Sequence, residues 1–208
     1  LLCIVQQPLI IAMNVKEKVI MKCSVETSAR HVHLPEDVYK ILFGADAEMT
    51  PMKELSGGGG FVDAKRVTLV GPKGEMAKVA ILGPYRPLQV ELAKTDARKL
   101  GVDAPIRISG DTAGSAPIKI VGEVGEYEAA EGAVVAKRHI HLSADHIAEL
   151  GLEKNAVVQV KLTSDDRSLI FDDVILRCND CEPLMHIDTD ECNAAGLPGT
   201  VEGEIIVK

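Results

Sequence analysis

Arg30-His31-Val32-His33-Leu34-Pro35-Glu36-Asp37 returns as Arg138-His139-Ile140-His141-Leu142-Ser143-Ala144-Asp145. The Arg, both His, the Leu and the Asp are identical, and Ile replaces Val. The copies stand 108 residues apart, about half of the 208-residue chain. In an extended strand, residues i and i+2 point to the same face. His-x-His therefore aims two imidazoles at one point, as two ligands of a divalent metal would be. A single copy fits a pair of surface histidines equally well. Four of the six histidines fall into the two matched pairs, and that favours metal. The remaining ligands must come from elsewhere in the chain.

Composition narrows the setting. The chain has room for one domain or two small ones with a real core. Aromatic residues are only 3% and Trp is absent, so the core must be built from Val, Ile, Leu and Ala. Many short Val/Ile runs, punctuated by eighteen Gly and ten Pro, predict a mainly β fold with many turns. A formal net charge of −8 argues against a nucleic-acid or anionic-membrane partner. An anionic small ligand stays open, because a bound metal reverses the local sign. The five cysteines are an odd number, which argues against a closed disulfide framework and fits a reducing cytosol. Cys178-Asn179-Asp180-Cys181 is a C-x-x-C without a second pair to complete a zinc knuckle, and reads as a loop with two thiols.

Along the chain, residues 1–13 form an apolar N-terminal extension. They lack the features of a signal peptide and are too few to span a bilayer. A strand is expected from Val15 to Glu26. A short helix follows from Pro35 to Phe43, with acids in its first turn and Gly44 at its end. Ser56 to Gly60 reads as a flexible turn, since its pattern is not that of a phosphate loop. Val67 to Leu82 is a hairpin about a Gly/Pro turn. A short helix over Thr95 to Leu100 ends at Gly101, and strands at Pro105–Gly110 and Ile118–Val124 complete the first half. The second half repeats the order. A helix spans Ser143 to Leu150, with Ser143 as its N-cap. A hairpin then joins Val157–Leu162 to Leu169–Leu176, and a helix spans Asp188 to Ala195. The last strand runs from Val201 to Val207.

The repeat also points to the missing ligands. Glu91 stands ten residues before Gly101, and His186 ten residues before Gly196. Both stretches read as strand end, short helix, Gly, strand. One expected site is thus His31, His33 and Glu91, and the other His139, His141 and His186. Three protein ligands with positions to spare is the catalytic rather than the structural pattern for zinc. His146 has no counterpart in the first half, where Val38 stands, and reads as a helix-surface residue.

Ser28-Ala-Arg-His-Val-His-Leu34, Val67-Thr-Leu-Val-Gly-Pro-Lys-Gly74, Gln89-Val-Glu91, Ser109-Gly-Asp111, Arg138-His-Ile-His141 and Met185-His-Ile-Asp-Thr-Asp190 together resemble the PduL-type phosphate propanoyltransferase (phosphotransacylase) family, over roughly Val15 to Lys208. The resemblance implies two small β-barrels related by internal duplication and capped by short helices, with the active site at their interface. It implies one barrel from residues 30–137 and another from 14–29 plus 138–208. It implies an enzyme that interconverts a short-chain acyl-CoA plus phosphate with acyl phosphate plus CoA, using two zinc ions. The family's ligands fall on His31, His33 and Glu91 and on His139, His141 and His186. Its phosphate-binding arginine falls on Arg86, and its CoA contacts on Ser28, Lys53, Leu82 and Asn193. A homodimer is implied, in the cytosol or, as for some members, in a bacterial microcompartment for 1,2-propanediol degradation.

Two other readings of the residues stand beside this one. His139-x-His141 with Asp145-His146 imitates a metallohydrolase signature, but the Asp comes too late and falls in a predicted helix. A non-catalytic cupin-like metal-binding module also uses H-x-H on a barrel, but the glycines and spaced Glu of its motif are absent.

Overall fold

A computed structural model describes residues 20–58 and 60–208. The predicted extension 1–13 and the start of the strand expected from Val15 lie outside them. Strand β1 (Ile20–Thr27) leads to β2 (His31–His33) and helix α1 (Glu36–Phe43). Then come β3 (Pro51–Glu54), β4 (Phe61–Gly71), β5 (Gly74–Gly83), β6 (Gln89–Glu91), α2 (Lys94–Leu100) and β7 (Ile106–Arg107). β8 (Ala116–Val121) and β9 (Glu126–Ala136) complete the first half. The second holds β10 (His139–Leu142), α3 (Ala144–Glu149), β11 (Val157–Leu162), β12 (Leu169–Cys178), β13 (Leu184–Ile187), α4 (Thr189–Ala195) and β14 (Val201–Ile206).

The strands close into two six-stranded barrels. The first circuit runs β5–β2–β6–β9–β8–β4 and back to β5. The second runs β12–β10–β13–β1–β14–β11 and back to β12. Taken in this order the circuits agree in direction at every step. The first and third pairings are parallel and the other four antiparallel. The internal duplication expected from the sequence is thus expressed strand for strand. Its connectivity is crossed at one point. β1 leads into a first-barrel strand but belongs to the second barrel, whereas its counterpart β9 belongs to the first barrel and leads into the second.

Each barrel has its own core of mainly aliphatic side chains. The first is built around Val32, Leu69, Ile81, Val90 and Ile120, and the second around Val25, Ile140, Val160, Leu176 and Met185. The alternation that encodes this is plain in β8, where Ala116, Ile118 and Ile120 are buried and Pro117 is exposed. Closure removes the sheet edges that each set of strands would otherwise present. Tyr39 of α1 ties its helix to the first barrel by donating its hydroxyl to the buried carboxylate of Asp63 at 2.6 Å.

The helices fall where the sequence predicts them, within a residue or two. Ser143 caps α3 by accepting the His146 N–H, and Asp188 and Glu191 form a reciprocal capping box on α4. Gly101 and Gly196 end α2 and α4 in the left-handed conformation, at φ 75° and 63°. Two strands are absent from the sequence reading, β3 and β9. β9 reads Glu-Tyr-Glu-Ala-Ala-Glu-Gly-Ala-Val-Val-Ala, poor in β-branched residues until its end. The strand expected at Pro105–Gly110 is reduced to Ile106–Arg107, because Ile108 to Ser115 turns repeatedly, with bonds from Asp111 N–H to Ile108 O and Ser115 N–H to Thr112 O.

Candidate active site

Pairing between neighbouring strands gathers the predicted ligands. In the first barrel β2 lies antiparallel to β6, with His31 opposite Glu91. In the second β10 lies antiparallel to β13, with His139 opposite His186. The duplicated register therefore delivers a third candidate ligand to each His-x-His by the same geometry. Within each trio, His31, His33, Glu91 and His139, His141, His186, the candidate ligand atoms all lie within 4.8 Å of one another. The first trio is buried and the second partly so.

The surroundings orient the imidazoles. His31 Nδ1 lies 2.9 Å from the carbonyl of Ala29, and His139 Nδ1 2.9 Å from that of Lys137, the residue two earlier in both cases. His33 Nδ1 lies 3.2 Å from the Leu82 carbonyl, and His141 Nδ1 2.7 Å from Asn179 Oδ1. With a proton on each Nδ1 to donate to these oxygens, every Nε2 keeps its lone pair free for a metal. Burial holds His33 down to about 3, with further help from His31 and Arg86. Burial likewise holds His186 down to about 3, helped by His139 and His141, and lowers His139. Burial alone would raise Glu91, but His31, His33 and the Ser109 hydroxyl bring it below the ordinary carboxylate range. At neutral pH His33, His139 and His186 are thus neutral and Glu91 is a carboxylate, and five imidazoles with one carboxylate are a donor set that fits two divalent ions of the zinc type.

Both trios open on a cleft of about 480 Å³ between the barrels, whose wall includes His31, His33, His141 and His186. Ser28, Leu82 and Arg86 line the same cleft. Arg86 is exposed there, its backbone N–H held by the Leu34 carbonyl. Lys53 and Asn193 are not part of the cleft wall. Lys53 lies on exposed β3, and Asn193 is exposed on α4, its carbonyl accepting from Arg167. Ser56, Gly57, Gly58 and Gly60, read from the sequence as a simple turn, form part of the cleft wall. Cys181, from the loop with two thiols, also reaches it, and burial raises its thiol pKa.

Residues that the sequence reading quotes in its motifs without a role complete the site. Asn179 orients His141, and Gln89 and Ser109 hold Glu91. Arg30 Nε donates to Asp96 of α2 at 2.8 Å, and its repeat mate Arg138 donates to Glu191 of α4 at 2.7 Å. The arginine that opens each repeat thereby ties the His-x-His strand to the helix following the third ligand. The metallohydrolase constellation does not form. Asp145 and His146 lie in α3, where His146 Nδ1 sits 2.8 Å from Ser143 Oγ, and neither belongs to a trio.

The family model described as phosphate propanoyltransferase matches residues 24–198. The chain belongs to the phosphate propanoyltransferase family. The phosphate propanoyltransferase of Listeria monocytogenes is 43% identical over 186 residues, covering 88% of this chain and 87% of the relative. That of Thermotoga maritima is 45% identical over 175 residues, covering 83% of each chain. That of Clostridioides difficile is 42% identical over 186 residues, covering 88% of each. As a member of the phosphate propanoyltransferase family the protein is an acyltransferase. Among the described residues no helix is long and apolar enough to cross a membrane.

Proposed function

We propose that the protein moves a short acyl group between CoA and phosphate at a two-zinc centre. His31, His33 and Glu91 would hold one ion, and His139, His141 and His186 the other. One observation carries this reading: two trios of candidate ligands, matched strand for strand, reach a single cleft that also contains Arg86, one through His31 and His33 and the other through His141 and His186. Bound there, zinc supplies positive charge for phosphate and for the departing CoA sulfur.

The chain's own residues do the rest. Arg86 offers a planar guanidinium that pairs with two phosphate oxygens, offsetting repulsion between phosphate and anionic CoA. Ser28 and Leu82 in the cleft, with Lys53 and Asn193 beyond it, are the proposed CoA contacts. Holding both reactants between the barrels turns a bimolecular step into a local one. A phosphate oxygen bonds to the acyl carbon as the carbon–sulfur bond breaks, and the electron pair leaves with sulfur as CoA thiolate. Cys181 is a poor candidate for an intermediate acyl carrier, since its raised pKa keeps it a thiol. Direct attack within a ternary complex is therefore the proposed course. The family resemblance further suggests a homodimer and a cytosolic or microcompartment setting.

The test is thiol release from propanoyl-CoA by the purified full-length protein, joined to elemental analysis. Phosphate-dependent release with about two zinc ions per chain is expected. Release without phosphate would mark a hydrolase, and no release a binding module.

A further inference from the structure

The two trios differ in one ligand, and the difference extends to the residue beside it. Glu91 in the first trio stands where His186 stands in the second. Two positions earlier, on the same strand face, the first barrel has Gln89 and the second has Leu184. Their settings match: Gln89 lies opposite His33, and Leu184 opposite His141. An amide accompanies the carboxylate, and an apolar side chain accompanies the imidazole. The duplication thus contains its own control. Gln89 is only 2% exposed, a costly place for an amide unless its bonds are made.

Those bonds are made, and they converge on one oxygen. The backbone N–H of Gly110 donates to Gln89 Oε1 at 2.6 Å, which fixes the orientation of the amide and turns its NH2 group towards Glu91. Gln89 Nε2 then donates to Glu91 Oε1 and to Ser109 Oγ, the latter at 3.0 Å. The Ser109 hydroxyl in turn donates to the same Oε1 at 2.9 Å. Arg177, beside His141 in the second barrel, reaches across to the Ser109 carbonyl at 3.2 Å and holds this segment in place. Glu91 Oε2 receives none of these bonds and lies 3.6 Å from His31 Nε2, on the side of the trio.

We propose that Gln89 and Ser109 are positioning residues that make Glu91 a ligand through Oε2 alone, keeping a coordination position beside His31 and His33 free for substrate. The inference rests on the two-metal reading above. A carboxylate binds a cation through one oxygen or two. Two donors occupy Oε1 and hold it away. Without them Oε1 is free to turn onto the ion and fill the position that substrate needs.

The experiment uses zinc-loaded full-length protein and the double variant Gln89→Leu/Ser109→Ala, which gives the first site the apolar neighbour found in the second. Zinc X-ray absorption is expected to gain an oxygen in the first shell, while metal content stays at the parent level. Turnover at saturating substrates is expected to fall roughly 10–100-fold. Ser109→Thr, which keeps the hydroxyl, should stay near the parent, and Ser109→Ala should fall between the parent and the double variant. If the double variant does not fold, the comparison of Ser109→Ala with Ser109→Thr decides. An unchanged zinc shell in the double variant, or Ser109→Thr as impaired as Ser109→Ala, would overturn the inference and leave the two-metal reading standing. A parent protein without bound metal would overturn both, before any variant is made.

Discussion

Arg86 shares the cleft with both trios. Its guanidinium lies in the cleft and close enough to His33 to influence that residue's protonation. Because a fork of N–H donors matches phosphate whereas an ammonium acts as a point charge, Arg86→Lys is expected to lose about 10-fold or more in turnover. Arg86→Ala should lose more, with zinc content unchanged in both. Near-normal turnover of Arg86→Ala at saturating phosphate would remove the role. A second expectation concerns the metal-free protein. Burial first, then neighbouring charge, holds folded His33 and His186 near 3, whereas in the unfolded chain they titrate near 6.5. Above 6.5 both states are neutral and these groups add no slope. Below it the unfolded chain takes up protons that the fold refuses, so stability falls as pH drops from about 6.5 towards about 3. The slope is at most ~1.4 kcal/mol per pH unit for each histidine. Thermal unfolding of chelator-treated protein across this range checks it, and a midpoint that does not move would contradict it. At this scale the six ligand candidates were legible because each occurs in a repeat. Their supports were not. Backbone carbonyls such as those of Ala29 and Lys137 leave no mark in a sequence, and Asn179, Gln89 and Ser109 reach the ligands only through folding.

Among the elements, the paired ties Arg30–Asp96 and Arg138–Glu191 join each His-x-His strand to the helix that follows its third candidate ligand. Asp96 is only 5% exposed, and Glu191 is partly buried. Removing Arg30 leaves the buried Asp96 carboxylate without its partner, at a cost of about 1–3 kcal/mol, and removing Arg138 costs less, since Glu191 is partly exposed and keeps the Asp188 N–H. Arg138→Ala should also weaken zinc at the second site more than at the first, because only the second strand–helix tie is released. Zinc retention during chelator competition measures this, and equal loss from both sites would count against it. The same scale shows where periodicity misleads. β8 announces itself by strict alternation, whereas β9 carries small residues and Gly132, and β3 is four exposed residues. Tertiary pairing, not propensity, makes them strands. The signal that could have found β9 was the repeat itself: a strand precedes the first His-x-His, so one was due before the second.

For the whole molecule, the circuits imply unequal independence. All six strands of the first barrel lie within residues 30–137, an unbroken piece of chain. The second barrel needs β1, which fills the gap between β13 and β14 and buries Val25 completely. A fragment of residues 30–137 is therefore expected to unfold cooperatively and to bind one zinc. A fragment of 138–208 should do neither, since it has two unpaired edges and an open core. Circular dichroism melts and zinc titration of the two fragments check this, and a cooperative melt from 138–208 alone would refute it. The mainly β character and the twofold plan were legible in the sequence because they are repeated. The crossed strand rests on a parallel pairing between distant segments, which local pattern does not encode.

That crossing has a consequence on the ribosome. β1 is made before every strand of the first barrel, yet its partners around Leu184 and Ile206 are translated only after that barrel. The nascent chain must carry a finished strand with no neighbours while the whole first barrel emerges and closes behind it. Contacts between such distant segments are slow to form, and an unpaired edge waiting that long invites mispairing. Alternating Lys22, Ser24 and Glu26 with Met21, Cys23 and Val25 gives this strand one polar face, and a polar, charged face is what guards an unpaired strand against mispairing.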